Sequence, residues 1–365
     1  MRKYNPENER IKHKYLMFLK EAKRQNEASL DAVAKAIIRF EEYSKFKNFK
    51  TFHHMQAVGF KNSLAKQENQ QTGKKLSKAT LNSTLRHLKN FFQWLSMQVG
   101  YKSRVNYSDS EYFNLSEKET RVATARRQKP VPTIEQIKHV LESMPFKTDL
   151  EKRNRCLIAF TLLTGARDRA IASLKLKHID IHAGYVFFDA RDVKTKFSKT
   201  FYTYFFPVGD EILQILKDWI EYLRTELLYG NDDPLFPKTN IAQGKNRVFE
   251  PVGLKNEHWS TASPIRTIFR EAFENVGLRY FNPHSFRDTL AMFGEQLCKS
   301  PEEFKAWSQN LGHEKVLTTF YSYGEVQPQR QAEIIKNLEQ TKVRQDSDID
   351  KLVEKVINRL ASVNN

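Results

Sequence analysis

The sequence contains few cysteines and no long apolar run. Only two of its 365 residues are cysteine, and Cys156 and Cys298 both stand in apolar stretches typical of a protein core. Two cysteines exclude a disulfide framework and a metal site built from clustered cysteine ligands. No apolar run approaches the roughly 18 residues of a membrane-spanning helix, and the first residues, "MRKYNPENERIKHKY", lack the apolar stretch of a secretory signal. We therefore expect a cytoplasmic protein that does not contact a membrane.

Acidic residues are scarce where basic residues are most frequent. The formal net charge is +17, and residues 1–130 hold 27 Lys and Arg against 12 Asp and Glu. The remaining residues, 131–365, hold 33 against 31 and are nearly neutral. A basic segment of this kind is typical of a surface that binds a polyanion, although lysine-rich faces can also serve solubility alone. We therefore favour nucleic acid as the partner.

The first third of the chain has helical periodicity. Its clearest helix is "SKATLNSTLRHLKNFFQWLSMQ", in which apolar residues recur every three or four positions. Either Ser77 or Thr80 is suited to cap its start. The predicted core face of this helix consists of Leu81, Leu85, Leu88, Phe92 and Leu95.

These patterns divide the chain into two predicted domains and a tail. Residues 1–115 form a helical domain, and residues 116–131, which are charged and end next to two prolines, Pro130 and Pro132, form a linker. Residues 132–340 mix helices with strands and form the second domain. Residues 341–365 form a predicted tail helix with one apolar face. That face has to be buried either on its own domain or on a neighbouring subunit.

Local signals define the elements of the second domain. Thr133 and Gln136 predict a capping box at the start of a helix, and "RNRCLIAFTLL" predicts a helix that ends at Gly165. Two alternating aromatic segments, "GYVFFDA" and "TFYTYFFPV", predict strands on either side of the basic turn "RDVKTKFSK". The expected fold class is mainly α, with a small β-hairpin sheet inside a mixed α+β second domain.

Four separated stretches carry residues suited to phosphate chemistry. "LLTGARDRA" contains Arg167, and "DVKTKFSK" contains Lys194. "NPHSFRDTLA" contains His284 and Arg287, and "NLGHEKVLTTFYSYGEV" contains His313 followed by two tyrosines. Taken singly, each has an ordinary interpretation as a helix start, a solvated turn, a pair of surface neighbours or a core histidine. Their joint occurrence is what indicates a site.

Together these residue types supply what cleavage of a phosphodiester without a metal requires. Attack on the phosphate builds negative charge on its oxygens, which two arginines can bind through charge-assisted hydrogen bonds. A tyrosine hydroxyl has an ordinary pKa of about 10, so it needs a cationic pocket or a base to act as a nucleophile. A lysine on a hairpin turn can protonate the departing sugar oxygen. No Gly-rich phosphate loop is present, because "TGKKLS" and "QGKNR" lack the earlier glycine.

In this order the motifs resemble those of the tyrosine recombinases, the phage integrase family. The family pattern is an arginine in a "TG-x-R" turn, a lysine in a β-hairpin, His-x-x-Arg, "LGH" and then a tyrosine. The resemblance covers residues 155–326, and it implies that residues 1–115 are a core-binding domain that clamps DNA and residues 132–340 the catalytic domain. The catalytic residues that it implies are Arg167, Lys194, His284, Arg287, His313 and Tyr323.

The sequence departs from the family pattern at two positions. Relatives usually carry Glu or Asp three residues after the first arginine, where this chain has Ala170, so that turn must be braced differently or not at all. Relatives commonly place the nucleophile nine residues after the "LGH" histidine, a position that falls here between Tyr321 and Tyr323. The ending "TTFYSYG" resembles a branch of the family whose nucleophile is the later tyrosine, which favours Tyr323. Lys194 is favoured over Lys196 by a narrower margin.

The resemblance implies a transesterification in which Tyr323 attacks a DNA phosphate and forms a 3′-phosphotyrosyl bond. No cofactor, metal or ATP is expected, because the ester retains the bond energy. The implied partners are double-stranded DNA target sites and further copies of the chain, assembled as a homotetramer on two DNA sites with the C-terminal helix exchanged between protomers. Two alternatives stay open. A type IB topoisomerase-like enzyme shares the chemistry, and a non-catalytic DNA-binding relative shares the charge and the helices.

Overall fold

The computed structural model describes residues 4–69, 73–125, 130–243 and 247–313. The chain divides into two compact units between residues 126 and 127. Most described residues are helical, and small antiparallel sheets lie in the second unit, which confirms the predicted fold class. The tail helix predicted for residues 341–365 lies outside the described residues. Within the described ranges, no helix is long and apolar enough to cross a membrane.

The first unit is helical, as its periodicity predicts. The predicted face of the longest helix is buried, with all five apolar residues at most 2% exposed. Ser77, and not Thr80, caps this helix, because its hydroxyl accepts a hydrogen bond from the Thr80 backbone N–H at 3.2 Å. The α-helices described in this unit are α1 (Pro6–Met17), α2 (Glu27–Tyr43), α3 (His54–Leu64), α4 (Lys78–Ser96) and α5 (Glu117–Thr124).

Aromatic rings fill the core of the first unit. Phe40 on α2 contacts Phe60 on α3 and Phe92 on α4 edge to face, with ring centroids 5.4 and 5.1 Å apart. Phe52 stacks on Phe92 at 3.8 Å. Such pairs contribute about 0.5–1.5 kcal/mol each beyond the area they bury, so ring packing fixes the relative positions of these helices.

A helix lies inside the segment that was predicted to be a linker. α5 begins after Ser116, which forms a capping box with Glu119. Glu119 also binds the Lys78 ammonium of α4 at 2.5 Å, and α5 packs along α4. Residues Glu117–Thr124 are therefore part of the first unit.

The second unit is built around the helix α7 (Asp149–Thr164), which is buried on almost every side. Its residues from Cys156 to Thr164 are all buried. The helices Ile134–Ser143, Asp210–Thr225 and Ser285–Leu297 and the strand Phe249–Lys255 pack against it. The predicted end at Gly165 is confirmed, as is the capping box of Thr133 and Gln136 at the start of α6. Cys156 is buried as predicted, whereas Cys298 is only half-buried. The helices described here are α6 (Ile134–Ser143), α7 (Asp149–Thr164), α8 (Asp168–Ile171), α9 (Asp210–Thr225), α10 (Ser263–Glu274), α11 (Ser285–Leu297) and α12 (Pro301–Asn310).

Two antiparallel sheets complete the second unit as described. In the first, β1 (Ile179–Asp180), β2 (Tyr185–Phe188) and β3 (Phe201–Tyr204) lie in that order, and β2 and β3 are the predicted hairpin strands. Val186 and Phe188 point into the core, while their neighbours Tyr185 and Phe187 are partly exposed. The second sheet, β4 (Lys238–Gln243) with β5 (Phe249–Lys255), was missed by sequence reasoning. Neither of its strands has a buried residue, so neither shows the alternation of a half-buried strand.

Candidate active site

The turn after α7 presents the first predicted arginine. Gly165 ends α7 with a left-handed φ of +59°, and Arg167 then stands at the N-cap of α8. A Cβ at Gly165 would lie 2.9 Å from Leu311 Cδ2 and 3.1 Å from Leu290 Cδ1. Both the backbone conformation and the close approach of these side chains therefore require glycine. The half-buried Arg167 follows this glycine by two residues and lines a small cavity.

An ion pair braces the same turn where relatives carry an acidic residue. The position three after Arg167 is Ala170, which is 5% exposed and makes no such contact. Instead, Asp168 Oδ2 accepts a hydrogen bond from Nε of Arg266 on α10 at 2.8 Å, and Nη2 of the same arginine lies 2.7 Å from that oxygen. The hydrogen bond is charge-assisted, because its donor and its acceptor are both ionised. The turn is thus braced from α10, by the residue next to Arg167.

Arg287 is the centre of the site. It is 4% exposed on α11, and its Nη1 donates to the Gly165 carbonyl at 2.6 Å. Its Nη2 donates to the Leu311 carbonyl and lies 2.9 Å from Nε2 of His313. Burial, followed by the neighbouring charge of Arg167, lowers the pKa of Arg287 to about 9. The group still carries its charge at neutral pH.

Two histidines join the arginines, and both are held neutral. Burial first, and then Arg287 and Arg167, lower the pKa of His313 to about 4. Burial and the same two guanidinium groups also lower the pKa of His284, although that residue keeps contact with solvent. Since a guanidinium can only donate, Nε2 of His313 is the acceptor of its contact with Arg287, and the ring proton is assigned to Nδ1.

The hairpin turn places its two candidate lysines differently. The backbone N–H of Lys194 donates to the Ser173 hydroxyl at 2.9 Å. The Lys194 ammonium is near His258, and burial, then Lys175 and Lys194, lower the pKa of that histidine. Lys196 instead lines a small cavity and contributes to the lowered pKa of His313. Of the two, Lys196 is the one that the structure brings to the arginines. The assignment of Lys194 stays a prediction.

The cavity joins the elements of the site. Arg167, Arg287, Lys196, Thr203 of β3 and Thr164 at the end of α7 are among its lining residues. Nε of Arg287 is buried and has no hydrogen-bond partner among the described residues. In that part of the chain, no carboxylate is hydrogen-bonded to Arg287. A cluster of cations with a buried N–H group to spare is suited to bind an anion.

Some functional contacts were not predicted, and one predicted residue cannot be placed. The pairing of Asp168 with Arg266 joins residues 98 positions apart, and no sequence pattern pointed to it. The same holds for Asn310, which binds β3 through its side chain. Its place directly before "LGH" was the available signal. Tyr321 and Tyr323 lie outside the described residues.

Comparison with known proteins identifies the family of the chain. The sequence pattern of the family described as "Phage integrase family" matches residues 132–330. Tyrosine recombinase XerC of Lactobacillus delbrueckii subsp. bulgaricus is 24% identical over 251 residues, which are 68% of this chain and 72% of that protein. Tyrosine recombinase XerC of Halalkalibacterium halodurans is 23% identical over 186 residues, 51% of this chain and 54% of that protein.

Solved structures share the fold. A lambda integrase dimer bound to a core site superimposes with a TM-score of 0.58 at 14% identity, covering 88% of this chain and 96% of that one. The XerH site-specific recombinase bound to a palindromic substrate gives a TM-score of 0.58 at 18% identity, covering 88% and 82%. At these identities the structures establish similarity of fold.

Proposed function

The chain belongs to the phage integrase family, the tyrosine recombinases, and on that premise we propose that it cuts and rejoins double-stranded DNA through a 3′-phosphotyrosyl intermediate. The proposed reaction needs neither a metal nor ATP, because guanidinium groups bind the phosphate and the protein–DNA ester keeps the bond energy. Its catalytic residues are Arg167, His284, Arg287, His313, a hairpin lysine and Tyr323.

The observation that carries this proposal is the pair of arginines at the cavity. Arg287 is almost fully buried, has carbonyl and imidazole partners, and keeps a buried Nε–H group without an acceptor in the described part of the chain. Arg167 is close enough to lower its pKa. Placing two cations together costs free energy unless an anion joins them. A DNA phosphate is an anion of the right charge and geometry for two guanidinium forks.

In the proposed cleavage step, one phosphorus–oxygen bond forms and another breaks. The Tyr323 hydroxyl gives its proton to the neutral ring of His284 or to solvent, and its oxygen bonds to phosphorus. The bond between phosphorus and the 5′ oxygen breaks, and a hairpin lysine protonates that oxygen to give a 5′-hydroxyl. The arginines bind the charge that develops on the non-bridging oxygens, and His313 contacts Arg287 beside them. Attack by a 5′-hydroxyl of a second duplex reverses the step and exchanges strands.

The position of the cavity supports one of the two hairpin lysines as the general acid. Lys196 lines it beside both arginines, whereas Lys194 lies towards His258. We therefore favour Lys196 over Lys194 for this role, against the order that the sequence alone suggested. Both side chains are exposed on a turn, so the choice has to be tested on variants of each.

We also propose the assembly that the family resemblance implies. The basic first unit contacts the DNA backbone, and four protomers act on two DNA sites with the tail helix of residues 341–365 docked on a neighbouring protomer. The excess of Lys and Arg in residues 1–130 supports DNA contact by the first unit. The apolar face of the tail, which needs a partner surface, supports the exchange.

The test is a trap for the covalent intermediate. Duplexes are made from the DNA junctions that flank the gene, with a nick placed just beyond the cleavage site so that the short 5′-hydroxyl fragment diffuses away and religation fails. Wild type, Tyr323→Phe and Tyr321→Phe are compared on denaturing gels. We expect a covalent band with wild type and Tyr321→Phe, and none with Tyr323→Phe, which lacks only the hydroxyl.

Other results of this experiment would favour a different nucleophile or one of the two alternative functions. Loss of the band in Tyr321→Phe alone keeps the function and moves the nucleophile. Tight binding of this DNA by wild type without any covalent band contradicts the proposed chemistry and supports the non-catalytic alternative. Supercoil relaxation without strand exchange between two duplexes supports the topoisomerase alternative.

A further inference from the structure

Asn310 makes an unusual contact with the edge of the sheet that carries the hairpin turn. β3 pairs with β2 on one side only, so its other edge offers unpaired backbone groups within the described sheet. The Asn310 side chain satisfies both groups of one residue there. Its Oδ1 accepts from the Tyr204 N–H at 2.7 Å, and its Nδ2 donates to the Tyr204 carbonyl at 2.8 Å. The amide thereby takes the place of a strand partner.

A third hydrogen bond involves the backbone of the same residue. The Thr203 hydroxyl donates to the Asn310 carbonyl at 3.0 Å. Thr203 is 1% exposed and lines the cavity between the two arginines and the hairpin turn. Asn310 is the last residue of α12, so three bonds fix the point at which the chain leaves this helix. We call this set of bonds the Asn310 clasp.

The residues that follow the clasp enter the site directly. The Leu311 carbonyl and the His313 ring are both bound to Arg287. Gly312 between them has a φ of +69°, and a Cβ there would lie 3.0 Å from the ring of Phe201 at the other end of β3. The "LGH" turn therefore packs closely on β3 at Gly312. Asn310, directly before the turn, is hydrogen-bonded to β3 at Tyr204.

The same strand leads back to the lysine turn. β3 begins at Phe201, three residues after the turn that contains Lys196. Movement of β3 relative to α12 would shift that turn and the His313 turn with respect to each other. A shift of about 1 Å in a catalytic group can cost on the order of 100-fold in rate.

On the premise of the proposed function, we infer that Asn310 is a positioning residue, whose clasp on Tyr204 and Thr203 holds the His313 turn and the lysine turn in register around Arg287. Asn310 does not touch the phosphate. It sets the distance between two groups that do, and a side-chain amide suits this task because it offers one donor and one acceptor in the geometry of a peptide group.

The test uses Asn310→Asp, which keeps the shape and the acceptor but places a carboxylate oxygen against the Tyr204 carbonyl. The control is Asn275→Asp, which makes the same chemical change at an exposed residue at the end of α10. Thr203→Val removes the third bond of the clasp independently. Single-turnover formation of the covalent complex on the nicked duplex gives a rate constant and an amplitude, and DNA affinity is measured separately.

We expect Asn310→Asp to lower the rate constant about 10- to 100-fold, with the amplitude and the DNA affinity retained, and Thr203→Val to lower it about three- to tenfold. Asn275→Asp should match wild type. An unchanged rate constant in Asn310→Asp overturns the role, and so does a loss of amplitude alone, because misfolded protein lowers the active fraction and not the rate. Absence of a covalent complex with wild type overturns the proposed function itself and is thus distinguishable.

Discussion

Replacement of Gly165 by alanine should destabilise the second unit by about 2–5 kcal/mol. Gly165 has a φ of +59°, and a left-handed conformation costs an L-residue about 1–2 kcal/mol. In addition, the new Cβ would lie 2.9 Å from Leu311 Cδ2 and 3.1 Å from Leu290 Cδ1. Overpacking of this kind costs about 1–3 kcal/mol. The expected loss is the sum of these two contributions.

Gly277→Ala is the matched control. Gly277 lies in the same unit with a φ of +72°, and a Cβ there meets nothing within 4 Å. It should therefore show only the conformational cost, about 1–2 kcal/mol. The difference between the two variants isolates the packing contribution at Gly165.

Urea unfolding followed by tryptophan fluorescence measures both variants. In a Trp94→Phe background the remaining tryptophans, Trp219, Trp259 and Trp307, all lie in the second unit. The shift of the midpoint at constant slope then reports the change in the free energy of unfolding of that unit.

Equal losses of unfolding free energy in Gly165→Ala and Gly277→Ala would refute the packing argument. They would mean that the Leu311 and Leu290 side chains move away from the new Cβ without a cost in free energy. The catalytic consequence is checked in the same proteins. Arg287 donates to the Gly165 carbonyl at 2.6 Å, so Gly165→Ala should also slow covalent-complex formation, and Gly277→Ala should not.

Three further predictions concern the site. Lys196→Ala should slow cleavage about 100-fold or more, and a 5′-bridging sulfur, which needs no proton to leave, should restore the rate; the same pattern in Lys194→Ala instead would return the role of general acid to that residue. Arg266→Gln should slow covalent-complex formation about tenfold, because Asp168 loses the ion pair that braces the arginine turn, and should change stability by less than about 1 kcal/mol, since the pair is partly exposed; a gel-based rate equal to that of wild type would contradict this. The pKa of His313 is about 4 in the folded protein and about 6.5 in an unfolded chain, so the unfolded state binds more protons between these values and the free energy of unfolding should rise with pH from about 4 to 6.5; His313→Asn should flatten that slope in urea titrations, and an unchanged slope would count against the assigned protonation.

Local elements were predictable from the sequence because local spacing encodes them. The buried face of α4 follows from repeats of three and four residues, and the end of α7 follows from Gly165. The hairpin strands β2 and β3 follow from alternation, since one of their faces packs on the core. β4 and β5 were missed because neither strand has a buried residue, so no alternating pattern marks them.

The order of Arg167, His284, Arg287 and His313 was also legible, because these residues stand in recognisable motifs. That they meet at Arg287 depends on the packing of α7, α11 and the segment after α12. The sequence favoured Lys194 over Lys196, which lies two residues away on the same turn, and our proposal of Lys196 rests on the cavity. Only the conformation of that turn decides which ammonium lies near the cavity.

Two long-range contacts at the candidate site had no signal in the sequence. Asp168 and Arg266 are 98 residues apart, and Asn310 and Tyr204 are 106 apart. The sequence by itself determined the elements and the chemical groups, because periodicity, capping and motif order act over a few neighbouring residues. The tertiary structure alone decided which groups meet, because a hydrogen bond between distant residues depends on the packing of everything that separates them.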